Sequence, residues 1–361
     1  MAGPCTSDYR TLIKYLGSKR ALLGHIQRAV GAAAGENAVV ADLFSGSARV
    51  AHALKAAGWR VVTNDHLAFA HMLALGTVQA DAETWSLRAQ KILAELSHLP
   101  PAPGWFTATY AEQARYLHPA NAARLEAIRN AIARLDAAPE LNAILLTALV
   151  QAADRVDSTT GHQMAFMRDW APRALKPLEL RLPELLARPV AGACQALCED
   201  AVALAPMLEC DVVYLDPPYD QHAYLSNYHL WETLVRWDQP ETYGRAQKRV
   251  ECRTRRSAFN NRAGIGPAFA QLVNGLRAPT LIASFGAEGF LARADLEAML
   301  GARRYLHVLE VPHRRYAGTR LGIHNPAGIA VGTPGPDDTM ERMYVASEKR
   351  LDLPWIWSGM S

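Results

Sequence analysis

Two short apolar runs, each ending on an aspartate, constrain this chain more than any other feature. Ala38-Val39-Val40-Ala41-Asp42-Leu43-Phe44 reads as a buried strand, followed by the turn Ser45-Gly46-Ser47 and an alanine-rich helix that Gly58 stops. Arg60-Val61-Val62-Thr63-Asn64-Asp65 is a second strand that also ends on an acid, which completes a βαβ unit with a right-handed crossover. The other run, Asp211-Val212-Val213-Tyr214-Leu215, leads into Asp216-Pro217-Pro218-Tyr219. In a parallel α/β sheet, ligands sit outside the carboxyl ends of the strands, so these acids fall where chemistry occurs.

The rest of the chain builds around that frame. Leu22, Leu23, Ile26 and Val30 recur at helical spacing after Tyr15-Leu16-Gly17-Ser18-Lys19. From Asp81 to about Leu186 the composition shifts to Ala, Leu, Arg and Glu with a 3.6-residue period, broken by Pro100-Pro101-Ala102-Pro103-Gly104. That stretch reads as a helical insert. Strand character returns at Ala193 to Leu197, then at Thr280 to Phe285, Leu306 to Val311 and Gly328 to Val331, with a helix expected from about Leu225 to Trp237. The expected fold class is α/β, a Rossmann-like sheet with an inserted, mainly helical domain. Residues 11–80 and 191–340 form the sheet domain, 81–190 the insert and 341–361 a C-terminal tail.

Composition narrows the function classes. Half of the 361 residues are hydrophobic and 20% are charged, as in a soluble globular protein. The longest apolar stretch, Leu141 to Ala153, is interrupted by Asn142, Thr147 and Gln151, too short for a bilayer span, and the first ten residues hold no signal-like apolar core. A cytoplasmic address is expected. Five scattered cysteines argue against a disulfide framework, and Cys194 and Cys198 lack the second ligand pair that a zinc site needs, so no metal is expected.

The turn at Asp216 carries the chemistry. Two consecutive prolines stiffen it and remove two backbone donors, leaving an acid and a proline carbonyl as a fixed pair of acceptors. Such a pair suits an exocyclic amino group, and Tyr219 adds a face on which a planar base can stack. Asp216, Pro217, Pro218 and Tyr219 are the candidate catalytic residues. At the first strand, Gly46 lets the backbone approach a ligand, and a helix opening at Ser47 points free N–H groups into the same crevice. Asp65 stands where an acid would bind ribose hydroxyls. A nicotinamide dinucleotide would use the same geometry, but Gly46 is followed by Ser47, Ala48, Arg49 and Val50, without the Gly-x-Gly-x-x-Gly signature.

These residues resemble DNA N6-adenine methyltransferases of the Dam-like class. Lys14-Tyr15-Leu16-Gly17-Ser18-Lys19-Arg20 is similar to that family's N-terminal cofactor and substrate loop, Asp42 to Ala48 to its first cofactor motif, and Asp216 to Tyr219 to its catalytic motif. Ala153-Asp154-Arg155-Val156, Thr159-Thr160-Gly161 and Gly322-Ile323-His324-Asn325-Pro326 look like stretches of a subgroup. The resemblance implies S-adenosylmethionine as cofactor, bound through Tyr15, Gly17, Lys19, Asp42, Phe44, Gly46, Asp65, Asp200 and Asp216. It places Asp42 near the methionine end, Asp65 on the ribose and Asp200 near the adenine, although an acid in Asp200's position is also a natural helix cap. It further implies methyl transfer to the N6 amino group of an adenine flipped out of duplex DNA, target recognition by the insert, and a possible companion restriction endonuclease. RNA as the polymer, or a non-catalytic DNA-binding protein on a degenerate fold, are the alternatives.

Net charge is only +3, yet Glu241 to Arg262 holds seven basic residues against Glu241 and Glu251. Arg253, Arg255 and Arg256 crowd like charge, which an anionic partner would relieve. With Lys19, Tyr224, Arg314 and Arg315 they are the expected DNA contacts. The aromatic stretch Tyr224, Tyr228, His229 and Trp231 is expected mainly in the core.

Overall fold

The computed structural model describes residues 13–35, 37–221, 223–314, 323–324, 330–332 and 338–353. Seven strands form its central sheet: β1 (Val39–Asp42), β2 (Arg60–Asn64), β3 (Gln195–Leu197), β4 (Val212–Leu215), β5 (Thr280–Gly286), β6 (Tyr305–Arg314) and β7 (Asp338–Ser347). Their order is β3-β2-β1-β4-β5-β7-β6. The first five run parallel, and β7 is antiparallel to both of its neighbours. The chain leaves β1 toward β2 on one side and β4 toward β5 on the other. The topological switch, and hence the crevice, lies between β1 and β4.

Alternation along the strands buries both faces. Val212 and Tyr214 pack with Val40, Val61, Ile282, Met343 and Val345 under α1 (Leu23–Ala33) and α2 (Arg49–Ala56). Val213 and Leu215 pack with Ala41, Leu281, Ala283 and Tyr344 under α8 (Ile265–Gly275) and α9 (Arg293–Leu300). A strand covered on both sides needs apolar residues at every position, which is why these runs stood out in the sequence.

The helical stretch begins with α3 (Ala68–Ala74) and continues through α4 (Ala82–Ser97), α5 (Pro119–Ala133) and α6 (Pro139–Arg155). These helices share a core with α7 (His229–Arg236), into which Tyr228 and Trp231 project fully buried. The aromatic stretch after the Asp216–Tyr219 turn therefore serves packing, as expected. It is divided into Tyr224–Asn227 and α7, with Tyr228 non-helical between them.

Three expectations are corrected. Helical periodicity ends at Arg155: from 156 to 194 the chain is mostly irregular, broken by Pro172, Pro177, Pro183 and Pro189. Ala330–Gly332 pairs with Ile323–His324 in a separate ribbon, and the strand that completes the sheet is β7. A tail starting at 341 would therefore begin inside a central strand. Its alternation of Met343 and Val345 on one face with Tyr344 and Ala346 on the other was hidden among charged neighbours.

The two ends of the excursion meet: Asp81 bridges Leu186, and the Ala82 N–H donates to the Leu186 carbonyl at 2.9 Å. Lys55 on α2 is buried at this root, donating to the carbonyls of Val78 and Ala80 at 2.8 and 2.9 Å and to Asp81 at 3.0 Å. Arg188 holds the other Asp81 oxygen at 2.7 Å. Replacing Lys55 by Met removes one partner of a buried pair and strands two carbonyls, so Lys55→Met should destabilise the chain by about 3 kcal/mol in urea unfolding.

Candidate active site

The parallel register of β1 and β4 sets Asp42 beside Tyr214 and brings the two acid-tipped strands together. Asp42 is 1% exposed, and its Oδ1 has no hydrogen-bond partner among the described residues. Burial, with Asp216 and Asp65 as like charges nearby, pushes its carboxyl up to about 8. Three carboxylates thus converge at the switch point, one of them with an orphaned oxygen. Such a crevice favours a ligand that brings positive charge and hydrogen-bond donors.

Asp65 follows β2. Its carboxylate accepts the Gly46 N–H at 2.9 Å and the Leu67 N–H at 3.0 Å, which ties the β1 turn to the end of β2. Gly46 has φ +49°, and a Cβ there would lie 2.8–2.9 Å from the Tyr15 ring. The glycine admits the backbone to Tyr15, where the sequence suggested a ligand, and helix α2 opens at Arg49 rather than Ser47. Phe44 packs edge-on against Phe259 at 5.2 Å. Asp200 is exposed and caps the helix Ala201–Leu204, accepting the N–H groups of Val202 and Ala203.

Tyr15 stacks on Tyr224 and Tyr228, with centroids 5.3 and 4.8 Å apart. The Leu16 N–H donates to the Tyr228 hydroxyl at 2.6 Å, so this aromatic cluster fixes the loop that leads to Lys19. Gly17 takes φ +71°, its Cβ position 3.0 Å from the Tyr224 hydroxyl. Lys14, one residue before the stack, is held from the insert side: its Nζ lies 2.6 Å from Asp157 and its N–H donates to Asp154 at 3.0 Å. The Asp154 and Thr159 motifs thereby acquire a place. Thr159 donates to Asp157, and Arg173 pairs with the same carboxylate.

Lys19 is buried. Its Nζ lies 2.9 Å from Asp216 Oδ1, 3.2 Å from Glu341 Oε1 and 3.1 Å from the Gly17 carbonyl. Glu341, on β7, escaped the sequence reading because its strand did. Burial pushes the Asp216 carboxyl up to about 6, with Lys19 pulling down and Glu341 pushing up. Pro217 is buried and Pro218 half-buried. The Tyr219 ring lies 5.7 Å from Lys19 Nζ and rests on Gly286 and Gly289, where a Cβ would come within 3.1 and 3.3 Å. The candidate catalytic acid, its cation and a platform ring thus share one end of β4 and β5.

The basic segment is not the cluster of unrelieved charge that its sequence suggests. Arg249 is buried and pairs with both oxygens of Asp238 at 2.7 Å and with Glu251 at 3.0 Å. Arg255 pairs with Glu251 at 2.9 Å and donates to the His66 carbonyl. Arg253 is exposed but stacks on Tyr243 at 3.8 Å, while Arg256 is exposed and makes no ion pair among the described residues. Arg315 and the Arg314 side chain lie outside the described residues. No helix among the described residues is long and apolar enough to cross a membrane.

Residues 15–257 match the family described as D12 class N6 adenine-specific DNA methyltransferase. The chain is 28% identical over 328 residues to the type II methyltransferase M.FokI of Planomicrobium okeanokoites, covering 84% of this chain and 50% of that protein. It is 28% identical over 325 residues to the modification methylase StsI of Streptococcus sanguinis, covering 84% and 49%. With the type II methyltransferase M.NlaIII of Neisseria lactamica it shares 26% over 327 residues, covering 87% and 95%. The chain spans about half the length of the first two relatives. The match runs from the tyrosine that packs on Gly46, through both acid-tipped strands, into the arginine segment and just past Arg256. This chain belongs to the D12 class N6 adenine-specific DNA methyltransferase family.

Proposed function

We propose that this chain transfers a methyl group from S-adenosylmethionine to the N6 amino group of an adenine in duplex DNA. The observation that carries this reading is the ion-paired Asp216, followed by two prolines and a platform tyrosine, at the switch point beside a crevice of three carboxylates. That crevice fits the cofactor: Asp42's orphaned oxygen suits its cationic methionine end, and Asp65 retains lone pairs for ribose hydroxyls. Asp200 toward the adenine ring, with Phe44, Gly46 and the Tyr15–Lys19 loop as walls, completes the proposed site.

S-adenosylmethionine supplies a methyl group already activated on a sulfonium. The chain's task is to make a weak nucleophile available and oriented. Asp216 and the Pro217 carbonyl accept the two amino hydrogens, which returns the nitrogen lone pair, otherwise delocalised into the ring, for bonding to the methyl carbon. As that bond forms, the bond from methyl to sulfur breaks and a neutral thioether leaves. Positive charge then reaches the nitrogen beside Asp216, and one amino proton departs through that carboxylate to water. Since a paired adenine presents no free amino group, the base leaves the stack and rests against Tyr219, with Tyr224 at the pocket edge. The insert, the exposed Arg253 and Arg256, and the Arg314–Arg315 stretch contact the DNA, and a restriction endonuclease is the companion that such a modification implies.

The decisive experiment is expression in a methylation-free host, followed by sequencing of its DNA for N6-methyladenine. Asp216→Asn, which swaps an acceptor for an amide donor, should lower kcat by about a hundredfold or more while leaving cofactor affinity near wild type. Because Asp216 must be ionised and titrates near 6, wild-type kcat/KM should fall as pH drops through that value. Undiminished turnover by Asp216→Asn sinks the reading, and methylated RNA with unmodified DNA transfers it to the other polymer.

Cofactor binding carries its own signature. Asp42, raised to about 8, is largely protonated at pH 7, and a cationic ligand restores its ionised form. Calorimetry of S-adenosylmethionine binding in two buffers of different ionisation enthalpy should therefore register proton release, absent in Asp42→Asn. Equal heats in both buffers for wild type would count against Asp42 as the cationic-end ligand.

The arginines separate by their partners. Arg253→Ala with Arg256→Ala should reduce the log–log salt slope of DNA binding by roughly one per lost phosphate contact. Arg255→Ala, which breaks a pair with Glu251, should instead act mainly on stability in urea unfolding. An unchanged salt slope in the double variant would assign Arg253 and Arg256 to solvent.

A further inference from the structure

Glu341 is the buried carboxylate that the proposed chemistry does not yet use. In the antiparallel register of β5 and β7 it stands opposite Gly286, the residue on which the Tyr219 ring rests. Directly opposed residues share a face of the sheet, so Glu341 and Tyr219 meet at the same end of the pocket. Glu341 is 6% exposed, and its Oε1 has only the Lys19 ammonium, 3.2 Å away, among the described residues. Other buried carboxylates are structurally employed: Glu126 accepts the N–H groups of Gly104, Phe106 and Thr107, and Glu232 those of Ala68 and Phe69. A buried carboxylate oxygen without a hydrogen-bond partner costs stability, and an apolar side chain would serve packing better.

Lys19 therefore stands between two acids, 2.9 Å from Asp216 and 3.2 Å from Glu341. Were Asp216 its sole partner, the pair would be neutral and the ammonium would draw electron density from the carboxylate that must accept the amino hydrogen. We propose that Glu341 is a positioning residue for Asp216: it shares the Lys19 ammonium, leaves Asp216 a stronger acceptor, and keeps the cluster net negative while positive charge builds on the adenine nitrogen. This inference rests on Asp216 as the acceptor of the amino group. Asp216 is also faced by Asp42 and by the hydroxyls of Tyr15, Tyr214, Tyr219 and Tyr224, all of which the test leaves in place.

The test is Glu341→Gln, equal in shape and without charge, assayed for methyl transfer to duplex DNA across pH. With a like charge gone, the acid limb of kcat should move down by about one pH unit, and kcat at neutral pH should fall by about tenfold. KM for S-adenosylmethionine should stay within about threefold of wild type, since Glu341 is not itself among the groups proposed to bind the cofactor and reaches that site only through Lys19, whose ion pair with Asp216 remains. Glu341→Asp, which keeps the charge, should recover part of the rate and return the limb toward the wild-type position. Glu341→Leu guards against misfolding: it should melt no lower than wild type yet turn over more slowly, an outcome that a purely structural glutamate cannot produce. An unmoved acid limb in Glu341→Gln overturns the proposal, whether or not the rate falls. Asp216→Asn run in parallel separates the two readings. If it is inactive while Glu341→Gln matches wild type, only the role of Glu341 fails; if it is fully active, the role of Asp216 fails first.

Discussion

The parallel pairing of β1 with β4 is the contact on which the site depends. Each strand alone is an apolar run with an acid at or just after its end; paired, with Asp42 opposite Tyr214, they bring Asp42 and Asp216 within mutual repulsion in a buried crevice. The sheet pairing and the packing on both faces, from Val40 to Leu281, hold these charges where water would otherwise separate them. Two devices limit the cost. Asp42 takes up a proton, its carboxyl raised to about 8, and Asp216 takes a buried cation from a loop far away in sequence. The strain that remains is electrostatic, and its sign favours an incoming cation.

Much of this was legible in the sequence, for a physical reason. Strands buried on both faces cannot hide, because every position must be apolar, and Asp216 to Tyr219 combine an acid, two prolines and a ring in an order that few turns require. β7 was illegible for the converse reason. It begins Asp338-Thr339-Met340-Glu341-Arg342 and ends Ser347-Glu348-Lys349, so its apolar middle, Met343 to Ala346, is short and flanked by charge. Glu341 then read as part of a polar tail, although its antiparallel partners on both sides make it central.

Composition also misled at the arginines. Like charges in a window are visible in sequence, but their counter-charges need not be. Arg249 finds Asp238 beyond the end of α7, and Arg255 approaches Glu232 within that helix, at 3.8 Å. The partners come from an element that only the shared core of α3, α6 and α7 brings alongside. Gly46 carries the same lesson: its positive φ was foreseeable, but the occupant of the space it leaves, Tyr15, comes from a different loop.

That loop joins the two halves of the molecule. Lys14 is anchored to Asp154 and Asp157 at the end of α6, Tyr15 lies against Tyr224 and Tyr228 beside the Asp216–Tyr219 turn, and Lys19 ends between Asp216 and Glu341. Stacked rings in a close-packed environment do not deform gradually, so the position of the Lys19 ammonium is set by packing rather than by any ligand. In the proposed reaction, an amino group arriving at Asp216 would meet dipoles and charges already in place. Electrostatic lowering of a methyl-transfer barrier requires this, because an environment that had to reorganise during the reaction would return much of the stabilisation it offered.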